Sequence, residues 1–478
     1  MITYLDSLFK GGNFLINIEQ VNFSYQGEET HGSLNQINIH IKNGECILLC
    51  GKSGCGKTTI TKLINGLIPH FNQGQLTGKT VVDGMIVADT PMYQLSEKVG
   101  SVFQNPKSQF FNIDSDSELA FGLENNGIAP DIIRQQVNKT VHDLHIENLL
   151  HRDIFTMSGG EKQTLAFASV YAMNPEIYVL DEPSANLDRA STLTLGKQLK
   201  HIKSQGKSII VAEHRLYYLT DIIDRAIFIV DGKIIKEYSR EEFLKLTDEE
   251  RHQMGLRTIY QKNPPYTIKS DIDGELQVKN LSVKDKQHII FDNVNFSVSS
   301  GEILGILGSN GTGKTTLMRC LAGLLKEHSG EVLHHGKKLS LKERNAICYM
   351  IMQDVNHQLF GESVWSECEL SRDEKITDTE IENSLTFFDL LDFKDKHPMA
   401  LSGGQKQRLA IVTGIVAGKK ILIFDEPTSG LDYDHMCIVS QTLKDLAKQG
   451  HIILVVTHDM EFLEMTCNQV VQIGGNYF

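Results

Sequence analysis

The chain has 478 residues, of which 41% are hydrophobic and 22% charged, and its formal net charge is −13. This length predicts two to four domains of ~100–200 residues each, and the negative charge argues against sequence-independent binding to nucleic-acid phosphates. The longest apolar runs are about six residues, far shorter than the ~18 that a membrane-spanning helix needs. The first residues lack a signal-peptide pattern and the eight cysteines are too few for a disulfide scaffold, so we expect a cytosolic protein.

Short apolar segments alternate with helical patterns along the chain. Eight segments are strand-like, four in each half: residues 16–21, 47–49, 177–180 and 208–211, then residues 276–281, 303–307, 421–424 and 452–456. Three of the four in each half are apolar on both faces, which is typical of strands in parallel βαβ units. Cys46, Cys50 and Cys55 lack the spacing of a zinc or iron–sulfur site, so we interpret them as small core residues.

Four motifs occur twice in the chain. They are GKSGCGKT (51–58) with GSNGTGKT (308–315), Ser-Gly-Gly (158–160 with 402–404), Asp-Glu (181–182 with 425–426) and a histidine (214 with 458). The last three pairs are each 244 residues apart and the first pair is 257 apart, so the differences in length lie before the Ser-Gly-Gly motif. The pattern predicts two homologous domains, at residues 1–236 and 271–478.

The predicted linker between these domains covers residues 237–270. Thr247 and Glu250 have the spacing of a helix N-terminal capping box, and Gly255 is placed to end that short helix. Pro264 and Pro265 then predict an end to regular structure. The linker contains no run of basic residues.

The glycine-rich motif follows the pattern G-x4-G-K-[ST], which binds nucleotide phosphates. Its glycines let backbone N–H groups converge on phosphate oxygens, and the helix predicted to follow (59–67 and 316–325) adds the positive end of its dipole. The lysine, Lys57 or Lys314, reaches the β- and γ-phosphates. The next residue, Thr58 or Thr315, binds Mg²⁺.

The Asp-Glu and Ser-Gly-Gly motifs point to the same chemistry. Asp181 and Asp425 end apolar strands, where ligands bind to parallel sheets, and an aspartate there suits a second Mg²⁺ contact. The adjacent Glu182 or Glu426 can orient or deprotonate a water molecule. Each Ser-Gly-Gly motif opens a helical pattern (162–172 or 406–416) and offers a second anion site, although a plain helix cap has the same sequence.

The order of these motifs, with Gln104 between the glycine-rich loop and Ser-Gly-Gly, resembles that of an ATP-binding-cassette (ABC) ATPase, twice over. The resemblance covers residues 14–236 and 274–478. It implies an α/β fold with two tandem P-loop NTPase cassettes, each having a mainly parallel RecA-like core, an antiparallel β subdomain and a helical signature subdomain. It also implies ATP hydrolysis with ATP and Mg²⁺, in an intramolecular cassette dimer whose two composite ATP sites each use the Ser-Gly-Gly helix of the other cassette.

The resemblance assigns roles to individual residues in both sites. The catalytic residues would be Glu182, Glu426, His214 and His458, with the histidines contacting the γ-phosphate. Mg²⁺ would be held by Thr58, Gln104 and Asp181 in the first site, and by Thr315, Gln353 and Asp425 in the second. The nucleotide would be bound in the first site by Tyr25, Gly51, Ser53, Gly54, Cys55, Gly56, Lys57, Thr58, Thr59, Gln104, Ser402 and Gly404, and in the second by Gly308, Asn310, Gly311, Thr312, Gly313, Lys314, Thr315, Thr316, Gln353, Ser158 and Gly160.

The two copies are predicted to be unequal in one respect. No catalytic position is lost in either, so two hydrolysis-competent sites are expected. Tyr25 stands where the family places an aromatic residue that stacks on adenine, but its counterpart is Val283. Stacking on a base is worth ~1–3 kcal/mol, so we expect the second site to hold ATP less tightly. Met157 replaces the leucine found at Leu401, which conserves volume and predicts a mild effect.

The segment that follows Gln104 or Gln353 indicates which class of ABC protein the chain resembles. Gln104, Gln109, Phe111 and Glu118 have a spacing that is repeated by Gln353, Gln358, Phe360 and Glu367. It resembles the segment found in energy-coupling factor (ECF) importers, which implies uptake of a vitamin, a vitamin precursor or a metal ion. The two phenylalanines would either contact a membrane subunit or lie in the core.

The ECF resemblance also implies partners and a location. The partners would be an integral membrane scaffold subunit and a small substrate-binding membrane subunit, with no nucleic acid, at the cytoplasmic face of the cell membrane. Two alternatives stay open: a tandem ATPase of another ABC transporter, for example for sugar import, and a soluble tandem-cassette translation factor. His334 and His335 lie in an alternating strand-like run, and we interpret them as ordinary strand residues rather than metal ligands.

Overall fold

The computed structural model describes residues 14–26, 32–262, 274–285 and 288–474. The chain divides into two compact units. The first extends to Gln261 and takes in Gly430–Asp434, and the second contains the remainder. Each half has one antiparallel sheet, one mainly parallel sheet and flanking helices, which confirms the predicted α/β fold. Among the helices of these residues, none is long and apolar enough to span a membrane.

The strands described in the first half form two sheets. They are β1 (Phe14–Tyr25), β2 (Leu34–Lys42), β3 (Cys46–Cys50), β4 (Gly74–Val82), β5 (Met85–Ile86), β6 (Val99–Val102), β7 (Ile177–Asp181), β8 (Ser208–Ala212), β9 (Arg225–Val230) and β10 (Lys233–Ser239). The antiparallel sheet has the order β2-β1-β4-β5. The larger sheet has the order β10-β9-β3-β8-β7-β6 and is parallel except for the β9–β10 pair.

Helices cover these sheets. They are α1 (Lys57–Ile64), α2 (Leu67–His70), α3 (Met92–Lys98), α4 (Ser115–Asn125), α5 (Pro130–Leu144), α6 (Gly159–Ala172), α7 (Arg189–Ser204), α8 (Arg240–Lys245) and α9 (Asp248–Gln253). Helix α9 begins at the predicted capping box, in which Thr247 and Glu250 cap each other, and Gly255 follows it with a φ of 72°. Both α8 and α9 lie within the predicted linker, and its two prolines fall outside the described residues.

The large parallel sheet of the first unit separates two apolar cores. Ile47 and Leu49 of β3 belong to the core on the side of α1 and the antiparallel sheet. Cys46, Leu48 and Cys50 belong to the core on the side of α6 and α7. Because β3 is buried on both faces, its run of apolar residues is continuous rather than alternating. The prediction that the cysteines are core residues is confirmed.

The second half repeats this plan. Its strands are β11 (Leu276–Asp285), β12 (His288–Val298), β13 (Ile303–Leu307), β14 (Ser329–His334), β15 (Lys337–Lys338), β16 (Cys348–Ile351), β17 (Ile421–Asp425), β18 (Ile452–Val456) and β19 (Gln469–Gln472). Its helices are α10 (Lys314–Leu321), α11 (Leu341–Ile347), α12 (Val364–Ser371), α13 (Asp378–Phe387), α14 (Gly403–Val416), α15 (Tyr433–Lys448) and α16 (Met460–Thr466). The sheets have the orders β12-β11-β14-β15, antiparallel, and β16-β17-β18-β13-β19, parallel.

All eight predicted strand segments are strands, but two helices are shorter than predicted. Helix α1 ends at Ile64 and α10 ends at Leu321, three and four residues before the ends of the predicted ranges. In each case a glycine follows in the left-handed conformation, Gly66 with φ 81° and Gly323 with φ 74°. A glycine in this conformation just after a helix is a common termination signal.

Candidate active site

The first glycine-rich loop connects β3 to α1 and wraps around its own lysine. Lys57 Nζ donates hydrogen bonds to the carbonyl oxygens of Gly51, at 2.9 Å, and Lys52, at 3.0 Å. The side chain is only 5% exposed. Gly51 has a φ of 147°, and a Cβ there would lie 2.2 Å from the carbonyl oxygen of Ile229, so glycine is required at this position. Ser53, Gly54, Cys55 and Gly56 complete the loop as predicted.

The second loop, between β13 and α10, surrounds its lysine in the same way. Lys314 Nζ donates to the carbonyl oxygens of Gly308, at 2.6 Å, and Ser309, at 2.9 Å. Thr312 Oγ1 also donates to the Ser309 carbonyl, at 2.9 Å, at the position that Cys55 occupies in the first loop. Asn310, Gly311 and Gly313 complete this loop, and Thr316 lies in the first turn of α10.

A hydroxyl and a carboxylate meet beside each loop. Thr58 Oγ1 donates to Asp181 Oδ1 at 3.1 Å, and the Thr315 side chain hydrogen-bonds Asp425. Burial raises the pKa of Asp181, and burial with the neighbouring Glu426 raises the pKa of Asp425 to about 7. These oxygen donors, at the carboxyl ends of β7 and β17, have the chemistry that Mg²⁺ prefers.

The first candidate catalytic glutamate, Glu182, lies just beyond β7 with a φ of 45°. Gln104 Nε2 donates to its Oε2 at 2.6 Å, and His214 Nε2 lies 3.6 Å from its Oε1. Burial, followed by the charges of Glu213 and Asp181, raises the pKa of Glu182 to about 8. The predicted glutamine, glutamate and histidine are therefore brought together in the first cassette.

The second candidate catalytic glutamate, Glu426, has the same backbone conformation, with a φ of 48°. His458 Nδ1 lies 2.7 Å from its Oε1, and Thr457 Oγ1 donates to its Oε2 at 3.1 Å. Gln353 follows β16, as Gln104 follows β6, and its side chain is exposed. The second cassette thus pairs its glutamate directly with its histidine.

Glu213 is a residue of the first site that the sequence interpretation missed. Its Oε1 accepts the backbone N–H groups of His214, at 2.8 Å, and Arg215, at 3.1 Å. Its Oε2 accepts the Tyr218 hydroxyl at 2.8 Å and the Ser184 N–H at 3.3 Å. This buried carboxylate therefore holds the segment that carries His214. The sequence held one clue: the residue before the repeated histidine is Glu213 in the first cassette but Thr457 in the second.

The two Ser-Gly-Gly motifs start helices, as predicted. Ser158 and Glu161 form a capping box at the start of α6, and Ser402 and Gln405 form one at the start of α14. Gly160 lies in the first turn of α6, and Gly404 occupies the corresponding place in α14. A Cβ added to Gly404 would meet no atom within 4 Å, so the backbone there is open to a ligand.

The strand register corrects the predicted correspondence between Tyr25 and Val283. Val283 pairs with Phe291 of β12 as Phe23 pairs with Leu34 of β2, so Val283 corresponds to the buried Phe23 and the position of Tyr25 falls at Asp285. The Tyr25 hydroxyl lies 3.3 Å from Thr59 Oγ1, and Lys62 Nζ lies 5.3 Å from the centre of its ring. The ring is thus half-buried beside the helix that follows the first loop. Val283 is 3% exposed and belongs to the core of the second unit.

The segment after each glutamine is fastened at two points by side chains. Gln109 accepts the Phe103 N–H at 3.3 Å and donates to the Ser101 carbonyl at 3.1 Å. Glu118 accepts the N–H groups of Phe111, at 3.1 Å, and Asn112, at 2.9 Å. We call these two contacts the Gln–Glu brace.

The brace is repeated in the second cassette. Gln358 accepts the Met352 N–H at 2.7 Å and donates to the Met350 carbonyl at 2.6 Å. Glu367 accepts the Phe360 N–H at 2.6 Å. Phe111 is 74% exposed and Phe360 is 77% exposed, so the interpretation of these two rings as core residues is wrong.

Comparison with known proteins agrees with this geometry. The profile of the family described as ABC transporter matches residues 34–185 and 291–429. A candidate ABC transporter ATP-binding protein of Treponema denticola is 46% identical, over 96% of each chain. A candidate HMP/thiamine import ATP-binding protein of Bacillus subtilis is 30% identical, over 96% of this chain and 89% of that protein.

A solved structure titled RNase-L Inhibitor shares the fold, with a TM-score of 0.61 and 22% identity over 96% of this chain and 88% of that one. Two matches to one family, each covering a glycine-rich loop and its Asp-Glu pair, span more than half of the chain. The chain therefore belongs to the ABC transporter family, as an ATPase that carries two ATP-binding cassettes in tandem and hydrolyses ATP.

Proposed function

We propose that the chain is the energy-coupling ATPase of an ECF-type importer, which takes up a vitamin, a vitamin precursor or a metal ion. The observation that carries this proposal is the exposed phenylalanine that a Gln–Glu brace holds in each cassette. The name of the Bacillus subtilis relative, which refers to HMP/thiamine import, supports the same class of function. The partners would be an integral membrane scaffold subunit and a small substrate-binding membrane subunit, with the ATPase at the cytoplasmic face of the membrane.

The surface around Phe111 suits an apolar segment of a partner. Its ring stacks on Phe121, with the ring centres 4.8 Å apart. Ile113 and Phe155 are also exposed, and the Ile154 N–H donates to the Ile113 carbonyl at 2.8 Å, so these residues belong to one part of the surface. Exposed large apolar side chains that cluster in this way mark interaction sites, and an amphipathic helix is a common partner for them.

The chemistry at each ATP site follows from the residues beside the loop. The lysine and the loop N–H groups would bind the phosphates, and Thr58, Gln104 and Asp181, or Thr315, Gln353 and Asp425, would hold Mg²⁺. When bound, Mg²⁺ neutralises charge that develops on the phosphates. Glu182 or Glu426 would accept a proton from the attacking water, and His214 or His458 would contact the γ-phosphate.

The proposal includes the two composite sites. Ser402 and Gly404 would complete the first ATP site, and Ser158 and Gly160 would complete the second. ATP would then favour a closed arrangement of the cassettes, and loss of the γ-phosphate would release it. A two-state element of this kind can do work on an attached subunit.

Purification of the full chain from membranes tests the proposal. We expect the native chain to copurify, in mild detergent, with one large and one small integral membrane protein. The double variant Phe111→Ala/Phe360→Ala should lose both partners while its ATPase activity in isolation stays unchanged. Phe71→Ala is the matched control, because Phe71 is 76% exposed and lies outside both braced segments.

The alternatives give different results in the same experiment. Sedimentation with ribosomes, and no membrane partner, would favour a translation factor. If the Phe111→Ala/Phe360→Ala variant still copurified with membrane subunits, another class of ABC transporter would be favoured. Either result would contradict the proposed ECF role without affecting the ATPase itself.

A further inference from the structure

We propose that the second cassette carries a transition-metal site formed by Glu275, His334 and His335. One ligand atom of each residue lies within 4.8 Å of the others. Two imidazoles and one carboxylate are the donor set that suits Zn²⁺, and also Co²⁺ or Ni²⁺. The site lies on the antiparallel sheet and uses none of the residues assigned to ATP.

The backbone explains why the two adjacent histidines can act together. Successive residues of a strand normally point to opposite faces of the sheet. His335 is not in a strand conformation, since it forms the tight turn between β14 and β15 with Gly336, with φ values of 49° and 75°. The rings of His334 and His335 consequently lie with their centres only 4.2 Å apart.

The third ligand is held in place by the neighbouring strand. The His335 N–H donates to the Glu275 carbonyl at 2.8 Å, which fixes the turn against the residue before β11. Ser300 Oγ donates to Glu275 Oε2 at 2.8 Å, and His335 Nε2 lies 3.6 Å from the same oxygen. A hydrogen-bonded carboxylate next to the histidines is the kind of support that metal ligands usually have.

Charges of both signs surround the site. Burial and the neighbouring His335 lower the pKa of His334. Lys337 pairs with Glu343 at 2.7 Å, and Lys338 lies 3.7 Å from Glu331, so both lysines of β15 have acidic partners elsewhere. Lys420 also contributes to the lower pKa of His334.

The first cassette shows that the fold does not need these side chains. Its equivalent turn has the same conformation, with a φ of 48° at Asp83, and the Asp83 N–H donates to the Leu15 carbonyl at the same 2.8 Å. Leu15, Val82 and Asp83 stand where the second cassette has Glu275, His334 and His335. Asp83 instead pairs with Lys98 at 3.2 Å. The metal-binding set therefore belongs to the second cassette alone.

Binding would require only side-chain movement. Bonds of about 2.0–2.2 Å in a tetrahedral site place neighbouring ligand atoms roughly 3.4 Å apart. The His335 side chain is 63% exposed, and it can rotate toward the other two ligands. Three protein ligands leave a fourth position for water, so the ion would be exchangeable with solvent.

Titration of the full chain with Zn²⁺ tests this inference, in the absence of nucleotide and after treatment with a chelator. We expect the native chain to bind one more equivalent of Zn²⁺ than the double variant His334→Ala/His335→Ala. The variant Glu275→Gln should bind this additional Zn²⁺ about tenfold or more weakly. The control variant His142→Ala/His328→Ala removes two exposed histidines elsewhere in the chain, and it should still bind the additional equivalent of Zn²⁺. Co²⁺ should give the intense visible absorption of a tetrahedral site with the native chain only.

A second measurement separates a specific site from weak surface binding. Zn²⁺ should raise the unfolding temperature of the native chain and of the control, but not of the His334→Ala/His335→Ala variant, because only the folded site binds it. Equal Zn²⁺ stoichiometry and equal thermal shifts in all variants would mean an adventitious ion only and would overturn the proposal. ATPase activity with Mg²⁺ should be the same in every variant, whichever result is obtained.

Discussion

The two cassettes present the same reactive groups in different surroundings. In the first, Glu182 faces Gln104 and His214, with the buried Glu213 nearby. In the second, Glu426 contacts His458 and accepts a hydrogen bond from Thr457. The loops and the backbone around both glutamates are alike, so the repeat has kept the geometry of the reaction while the electrostatic support has changed. A tandem chain can therefore tune its two sites separately.

The largest expected effect comes from removing both catalytic carboxylates. Glu182→Gln/Glu426→Gln should lower steady-state phosphate release by about 10²–10⁴-fold, because the amide cannot accept the proton from water. The single variants would show how turnover is divided between the cassettes. Turnover of the double variant at the native rate would contradict the assignment of both glutamates.

The second prediction concerns the buried carboxylate of Glu213, whose position in the second cassette is occupied by Thr457. Glu213→Thr should lower the free energy of unfolding by about 1–3 kcal/mol, because the N–H groups it binds and the Tyr218 hydroxyl lose their acceptor. Urea denaturation measures this loss. Thr457→Val, which removes a single hydroxyl at the matching position, is the control and should cost about 1 kcal/mol. Equal losses in the two variants would show that the network around Glu213 is not special.

The third prediction concerns the affinity of each cassette for ATP. Lys57→Ala leaves the second site intact and Lys314→Ala leaves the first, so ATP titration of each variant measures one site. The first site should bind roughly 5- to 150-fold more tightly, as expected for ~1–3 kcal/mol of stacking on Tyr25. Adding Tyr25→Val to the Lys314→Ala variant should remove that advantage. Equal affinities in the two single variants would refute the asymmetry.

The smallest expected effect is at the residue before each Ser-Gly-Gly motif. Met157 and Leu401 are buried to nearly the same extent. Met157→Leu should change the free energy of unfolding by less than about 1.5 kcal/mol, since it conserves volume. Turnover should stay within about twofold, a change of well under 1 kcal/mol in the barrier. A larger loss would mean that this difference between the cassettes is functional.

Much of this architecture could be predicted because its signals are local. The glycine-rich loops, the apolar strands and the Ser-Gly-Gly caps each depend on residues close together in the sequence. The ends of α1 and α10 were misplaced because apolar periodicity continues past Gly66 and Gly323, and the glycines end the helices.

Other features depend on contacts between distant segments. Glu213 resembles any acid at a strand end until Ser184 and Tyr218 are seen to surround it. The spacing of Gln109 and Glu118 was visible, but their roles as a brace required the positions of Ser101 and Phe111. His334 and His335 were interpreted as ordinary strand residues because the sequence places Glu275 almost sixty residues away. Long-range partners of this kind have no periodic signature.

The Gln–Glu brace has a mechanical consequence. Gln109 and Gln358 each hold one N–H and one C=O group at the end of an edge strand, β6 or β16, so the segment cannot move there without breaking two hydrogen bonds. A force applied at the aromatic ring is consequently delivered to the strand rather than absorbed by local bending. We therefore expect a displacement of the phenylalanine to move the end of the strand, and a displacement of the strand to move the phenylalanine.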